Sequence, residues 1–142
     1  MFTGEYRHSV DDKGRLAVPA RFRAQLDDGA FVSVWIDACL AIFPRREWDG
    51  LADKVSALPL ADADARMFQR FLFANAFEVD LDRQGRLVVP NGLRKLAALE
   101  TEAVIVGARD HAEIWSPARW DALSLEMASP ESLAQHLTGL GI

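Results

Sequence analysis

The chain has 142 residues, 50% of them hydrophobic and 26% charged, with a formal net charge of −5. That composition suits one globular domain or two small intertwined halves, burying roughly two-thirds of the unfolded surface, and it excludes a uniformly basic nucleic-acid binder. A lone Cys39 excludes an intrachain disulfide framework and reads as a small buried apolar residue in a reducing compartment.

No apolar run approaches the ~20 residues that cross a bilayer. The opening Met1-Phe2-Thr3-Gly4-Glu5-Tyr6-Arg7-His8 lacks the layout of a signal peptide. A cytoplasmic protein without a membrane partner is expected.

Tyr6, His8 and Val10 alternate with polar residues as in a half-buried strand. Asp11 to Gly14 then reads as a turn, since Asp can bond its own backbone two residues on and Gly tolerates positive φ. Leu16-Ala17-Val18 is predicted to be the return strand of a hairpin. Pro19 suits the first position of a short helix running to about Leu26 and stopping near Asp28-Gly29. Strands are predicted over Phe31–Ile36 and Leu40–Phe43, with a turn near Asp37-Ala38. Pro44 opens a helix with Trp48, Leu51, Val55 and Leu58 on one face.

A second helix is predicted from near Ala61 to Ala74, stopped by Asn75. Its stripe of Phe68, Phe71 and Phe73 reads as core, or as packing between subunits, ahead of a cofactor box. Phe77, Val79 and Leu81 lead into a turn at Asp82–Gly85, and Leu87-Val88-Val89 returns. Pro90 opens a helix to about Leu99, and strands follow at Ala103–Val106 and Ile114-Trp115. Ser116 is a candidate N-cap before Pro117, for a helix whose apolar residues are Trp120, Leu123 and Met127. Ser129-Pro130-Glu131 opens a last short helix to about His136, and residues 137–142 read as a loosely held tail.

This order is one plan used twice. Asp11-Asp12-Lys13-Gly14-Arg15-Leu16-Ala17-Val18-Pro19-Ala20-Arg21-Phe22-Arg23 returns 71 residues later as Asp82-Arg83-Gln84-Gly85-Arg86-Leu87-Val88-Val89-Pro90-Asn91-Gly92-Leu93-Arg94. The boundaries predicted are 1–76 for a first half with a helical extension and 77–142 for a second half with C-terminal helices. Cations concentrate in the repeats. Residues 7–25 hold Arg7, Lys13, Arg15, Arg21 and Arg23 against Asp11 and Asp12, a balance of +3. Residues 82–95 hold Arg83, Arg86, Arg94 and Lys95 against Asp82, again +3.

Enzyme readings find no support. His8, His111 and His136 have no Cys or His at metal-ligand spacing, and His111 reads as a solvated turn residue. Single Gly14 and Gly85 suit hairpins but make no phosphate cradle. No catalytic residue, metal site or cofactor is expected. Asp11…Arg15 and Asp82…Arg86 are different: an acid and an Arg closing one tight turn fix the guanidinium. Its planar fork then suits bidentate contact with a phosphate or with guanine O6 and N7. A lone copy reads first as a surface ion pair worth ~0–1 kcal/mol; two copies among clustered cations favour anion binding.

The tandem pattern Asp-x-x-Gly-Arg-Leu-x-Val-Pro-x-x-(Leu/Phe)-Arg, with the opening Met1-Phe2-Thr3-Gly4-Glu5-Tyr6, resembles the MraZ family of bacterial regulators of the division and cell-wall cluster, and does so over essentially the whole chain. AbrB-like regulators are its single-copy relatives. The resemblance implies an α+β fold: two pseudo-twofold-related AbrB-like swapped-hairpin halves forming a small intertwined β-barrel with flanking short helices. It also implies a ring-forming, nucleoid-associated repressor that binds direct repeats of double-stranded promoter DNA in its own operon.

On that reading Arg15 and Arg86 contact DNA, oriented by Asp11 and Asp82, in turns shaped by Gly14 and Gly85. Lys13, Arg83, Arg7 and Arg21 add neutralising charge. Asn91 and Gly92 stand where the first repeat has Ala20 and Arg21, which leaves open whether both loops read bases or one mainly holds phosphate. The rival reading is an oligomeric protein-interaction scaffold that does not bind DNA and uses its aromatic helices.

Overall fold

A computed structural model describes all 142 residues, and its chain is α+β. In order the elements are β1 (Glu5–Ser9), β2 (Arg15–Ala17), α1 (Ala20–Arg23), β3 (Ala30–Val34), β4 (Leu40–Pro44), α2 (Arg45–Ser56) and α3 (Ala63–Ala74). Then follow β5 (Ala76–Val79), β6 (Arg86–Val88), α4 (Asn91–Leu96), β7 (Glu102–Gly107), β8 (Ala112–Trp115), α5 (Pro117–Met127) and α6 (Pro130–Leu137). No helix is long and apolar enough to cross a membrane.

Six strands form one antiparallel sheet in the order β1-β7-β8-β4-β3-β5, and β2 and β6 form a separate two-stranded ribbon. Exchanging each strand for its repeat partner (β1 for β5, β3 for β7, β4 for β8) reads the sheet order backwards unchanged. The same relation holds within single pairs. Leu16 faces its own repeat partner Leu87 across the ribbon, and Ala41 faces Glu113 in the central β4–β8 pair. The sheet is open, with β1 and β5 at its edges, so its hydrogen bonding does not close a barrel.

The expected local hairpin is corrected. β1 and β2 share only the bridge Val10–Leu16. β1 instead pairs with β7 over five residues, and β5 pairs with β3, so each half lends its first strand to the other. The apolar run Leu16-Ala17-Val18 suits any antiparallel partner of like pattern, and its repeat twin offers a match along the whole strand. Leu16, Val18, Leu87 and Val89 thereby enter the core, each no more than 1% exposed. At ~25 cal/mol per Å² of apolar surface, burying such side chains contributes roughly 1.5–3 kcal/mol each.

Helix boundaries hold with three adjustments, one being that α4 ends at Leu96 and not near Leu99. Pro19, Pro44 and Pro90 are extended N-cap residues, with ψ of 136°, 149° and 145°, and the helices start one residue later. The helix predicted from Ala61 starts at Ala63, because the Asp62 carboxylate accepts the N–H groups of Asp64 and Ala65 and caps it. Ser116 and Ser129 cap α5 and α6 as predicted from the sequence.

The phenylalanine stripe of α3 is not intramolecular core. Ala65 and Leu72 are the residues that α3 buries, while Phe68 and Phe71 remain 40% and 49% exposed. The Gln69 side chain donates to the Val55 carbonyl at 2.8 Å, and Phe68 and Phe71 line an apolar pocket with Val34, Trp35 and Ile36. His111 is likewise not a solvated turn residue. Its ring stacks on Phe43 at 5.0 Å between centroids, and only 13% of the side chain is exposed.

Candidate nucleic-acid interface

Each repeat builds the same turn around its acid. In the first, the Asp11 Oδ1 accepts the backbone N–H groups of Lys13 (3.0 Å) and Arg15 (2.8 Å), and Oδ2 accepts Arg15 Nε at 2.6 Å. In the second, the Asp82 Oδ1 accepts the N–H groups of Gln84 and Arg86, both at 2.9 Å, and Oδ2 accepts Arg86 Nε at 2.9 Å. The Arg15 and Arg86 N–H bonds, followed by the guanidinium contacts, hold both carboxyls below the usual carboxylate range. The acids are therefore ionised at neutral pH and keep accepting.

The carboxylate takes only Nε of each Arg. The two terminal nitrogens, the fork that meets phosphate or a guanine edge, have no partner in the chain and stay available. Strand alternation then sets direction. Leu16 and Leu87 point into the core, so Arg15, Ala17, Arg86 and Val88 share the outer face of the ribbon. Arg15 faces Val88 and Arg86 faces Ala17, which puts the two guanidinium-bearing positions on a diagonal roughly 7–8 Å apart at the backbone.

Each turn is anchored on the opposite half. The Gly14 carbonyl accepts the Val89 N–H at 2.8 Å, and the Gly85 carbonyl accepts the Val18 N–H at 2.9 Å, extending the ribbon at both ends. Both glycines have positive φ, 82° and 74°. Both are also roofed by an arginine of the other half. A Cβ on Gly14 would lie 2.9 Å from the Arg94 guanidinium, and one on Gly85 would lie 2.3 Å from Arg23 Nε. Those arginines are themselves fixed, Arg23 Nε donating to the Val18 carbonyl at 2.9 Å and Arg94 Nε to the Val89 carbonyl at 3.0 Å.

The structure thus brings together Asp11, Gly14, Arg15, Asp82, Gly85 and Arg86 on one ribbon. Lys13 and Arg83 stand exposed at the turn tips, and Arg21 is exposed on α1; none of the three forms an ion pair. Arg7 belongs elsewhere. It lies on β1, 2.5 Å from Asp121 of α5, whose hydrogen bond raises its pKa and compensates its charge. Arg23 and Arg94 were absent from the predicted site as a pair. Their signal was available, since they close the two repeat copies at equivalent positions.

The family model described as "MraZ protein, putative antitoxin-like" matches twice, over residues 1–71 and 72–139. The chain is 49% identical to the transcriptional regulator MraZ of Roseiflexus castenholzii over 141 residues, 99% of each protein. It is 48% identical to that of Thermomicrobium roseum, again over 99% of each protein, and 43% identical to that of Moorella thermoacetica over 100% of each. These relatives are named as transcriptional regulators and not as enzymes. The chain belongs to the MraZ family.

Proposed function

We propose that this protein is a sequence-specific DNA-binding transcriptional regulator that represses its own division and cell-wall operon through direct repeats in the promoter. The observation that carries this reading is the β2–β6 ribbon, with two arginines on one outer face and each guanidinium held through Nε so that its fork faces outward. A two-stranded ribbon fits the major groove, and the fork matches guanine O6 and N7 or a phosphate. Asp11 and Asp82 reduce the rotamer freedom lost on binding. Lys13, Arg83 and Arg21 neutralise phosphates, which makes affinity fall with salt.

One protomer offers few phosphate contacts, so the reading includes a homo-oligomeric ring of swapped-hairpin protomers. Several loops on successive repeats then bind with an effective concentration that multiplies affinity. A head-to-tail ring presents its loops in one direction, as direct repeats require. The expected location is the cytoplasm, on the nucleoid. Gel shift of the protein's own upstream DNA at low salt tests the reading. Arg15→Ala should lose about five- to a hundredfold in affinity with oligomer size unchanged; undiminished affinity refutes the role given to the ribbon.

The exposed Phe68 and Phe71 favour one second reading, a scaffold that engages a protein partner through α3. Indifference to DNA, with a partner recovered by pull-down and lost on Phe71→Ala, would select it.

A further inference from the structure

The two turns share a frame and differ at the tip. Corresponding hydrogen bonds to Asp11 and Asp82 differ by no more than 0.3 Å, so residues two and three of each turn are displayed alike. In the first turn those residues are Asp12 and Lys13; in the second they are Arg83 and Gln84. All four are exposed, and none of their side chains bonds to another part of the chain. The Asp11 and Asp82 carboxylates and Nε of Arg15 and Arg86 hold the frame. The tips therefore carry no structural duty, and their chemistry is free to serve recognition.

That chemistry differs in kind. A Lys ammonium donates to guanine O6 and N7, and an Asp carboxylate accepts from cytosine N4, so the first tip suits a G·C pair. A Gln amide donates to adenine N7 and accepts from adenine N6, so the second tip suits an A·T pair, with Arg83 beside it for phosphate. The outer ribbon face repeats the inequality, because half-exposed Val88 stands where the first half has Ala17. Val88 adds an apolar contact of the kind that reads a thymine methyl.

Resting on the DNA-binding reading above, we infer that the tips Asp12-Lys13 and Arg83-Gln84 determine sequence specificity and read different base pairs, so that one protomer recognises an asymmetric DNA element. Two equal tips about the ribbon's twofold axis would instead select an element equal to its own reverse complement. The unequal tips give the protomer a direction on DNA even though its backbone frame is nearly symmetric.

Selection from a random duplex pool tests this with the full-length protein, comparing wild type with the double variant Asp12→Arg, Lys13→Gln, which gives both turns one tip. Wild type should enrich an asymmetric motif. The variant should enrich a motif closer to its own reverse complement, with G·C preference lost at one end, and bind the wild-type motif about tenfold or more weakly. Gln84→Lys should move the opposite end from A·T toward G·C. A wild-type motif that is its own reverse complement, or motifs unchanged in both variants, overturns the inference. Wild type enriching nothing over the pool overturns the DNA-binding reading and this inference together. Melting temperature and oligomer size should be unchanged in both variants, since the replaced side chains are exposed and make no hydrogen bond or ion pair in the chain.

Discussion

The Asp11–Arg15 and Asp82–Arg86 turns are equal where they hold and unequal where they face outward. Acid, glycine, arginine and the roofing arginine of the other half recur at matched positions with matched hydrogen bonds. The tips and the starts of the following helices do not: Asp12-Lys13 against Arg83-Gln84, and Arg21 against Gly92. The difference separates two jobs that one repeated motif performs. A frame needs both copies to be alike because the halves exchange strands and each turn is pinned by its twin. A reading surface has no such constraint.

The largest expected effect comes from breaking the shared frame on the outward side. Arg86→Ala should reduce promoter affinity as Arg15→Ala does, about five- to a hundredfold in a gel shift. The two single losses should agree within about threefold, because both forks are oriented in the same way. A tenfold gap would mean that the tips or the α1 and α4 starts, not the ribbon, dominate affinity.

Substituting the glycines separates the two turns in stability. Alanine at either position must adopt positive φ, at a cost of about 1–2 kcal/mol. The added Cβ meets different obstacles. At Gly14 it lies 2.7 Å from the Val89 carbonyl oxygen, which is backbone, and at Gly85 its nearest neighbours all belong to the Arg23 side chain. Gly14→Ala should therefore destabilise more, by about 2–4 kcal/mol against about 1–3 for Gly85→Ala, measured by chemical denaturation. Arg23→Ala alone forfeits one hydrogen bond to the Val18 carbonyl, worth about 1 kcal/mol. In a double-mutant cycle Arg23→Ala should relieve part of the Gly85→Ala cost, whereas Arg94→Ala should do less for Gly14→Ala because the Val89 carbonyl stays. Equal relief in both cycles would contradict the asymmetry of the two obstacles.

How far this was legible in the sequence depends on whether a feature is local. The Asp-x-x-x-Arg turns, the serine caps of α5 and α6 and the alternation of β1 are set by residues within a few positions and are legible in the sequence. Phe77, expected on the inner face of β5, is instead 42% exposed. Strand exchange was implied only by the family resemblance and not by the residues themselves. Leu16-Ala17-Val18 carries no mark of which strand it will pair with, and its local pattern points to the simplest hairpin. The apolar pattern marks α3 as amphipathic but does not say which apolar residues meet the sheet: Leu72 is buried, and Phe68 and Phe71 are not. The roofing of Gly14 and Gly85 by Arg94 and Arg23 joins residues that meet only once the halves interlock, although their matched spacing stood in the repeat. Arg7 was grouped with the site by charge and proximity in sequence; in space it answers Asp121, 114 residues away.

The smallest expected effect tests the halves away from the ribbon, where the repeat has also diverged in chemistry. The position before β4 is Cys39, whose thiol burial pushes up to about 12, so it stays neutral through the physiological range. The corresponding position before β8 is His111. Burial pulls its pKa down, but the Glu113 and Asp110 carboxylates outweigh that and leave it above the ordinary histidine value. Its Nδ1 lies 2.7 Å from Asp110 Oδ1, and its Nε2 lies 3.6 Å from Glu113 Oε2, a distance for ion pairing and not for a hydrogen bond.

A histidine whose folded pKa is raised binds its proton more tightly when folded. Its contribution is complete below the unfolded pKa of about 6.5 and is lost as pH rises through the folded value. Stability should therefore decline as pH rises from the ordinary histidine value through the raised folded value. Melting temperature should fall by at most a few degrees across that window in wild type. His111→Gln, which keeps a polar side chain but cannot titrate there, should flatten the decline, and Cys39→Ser should leave it in place. An imidazole titration followed by NMR should find His111 protonated at a higher pH than a free histidine; a value below it would reverse the sign of the whole effect.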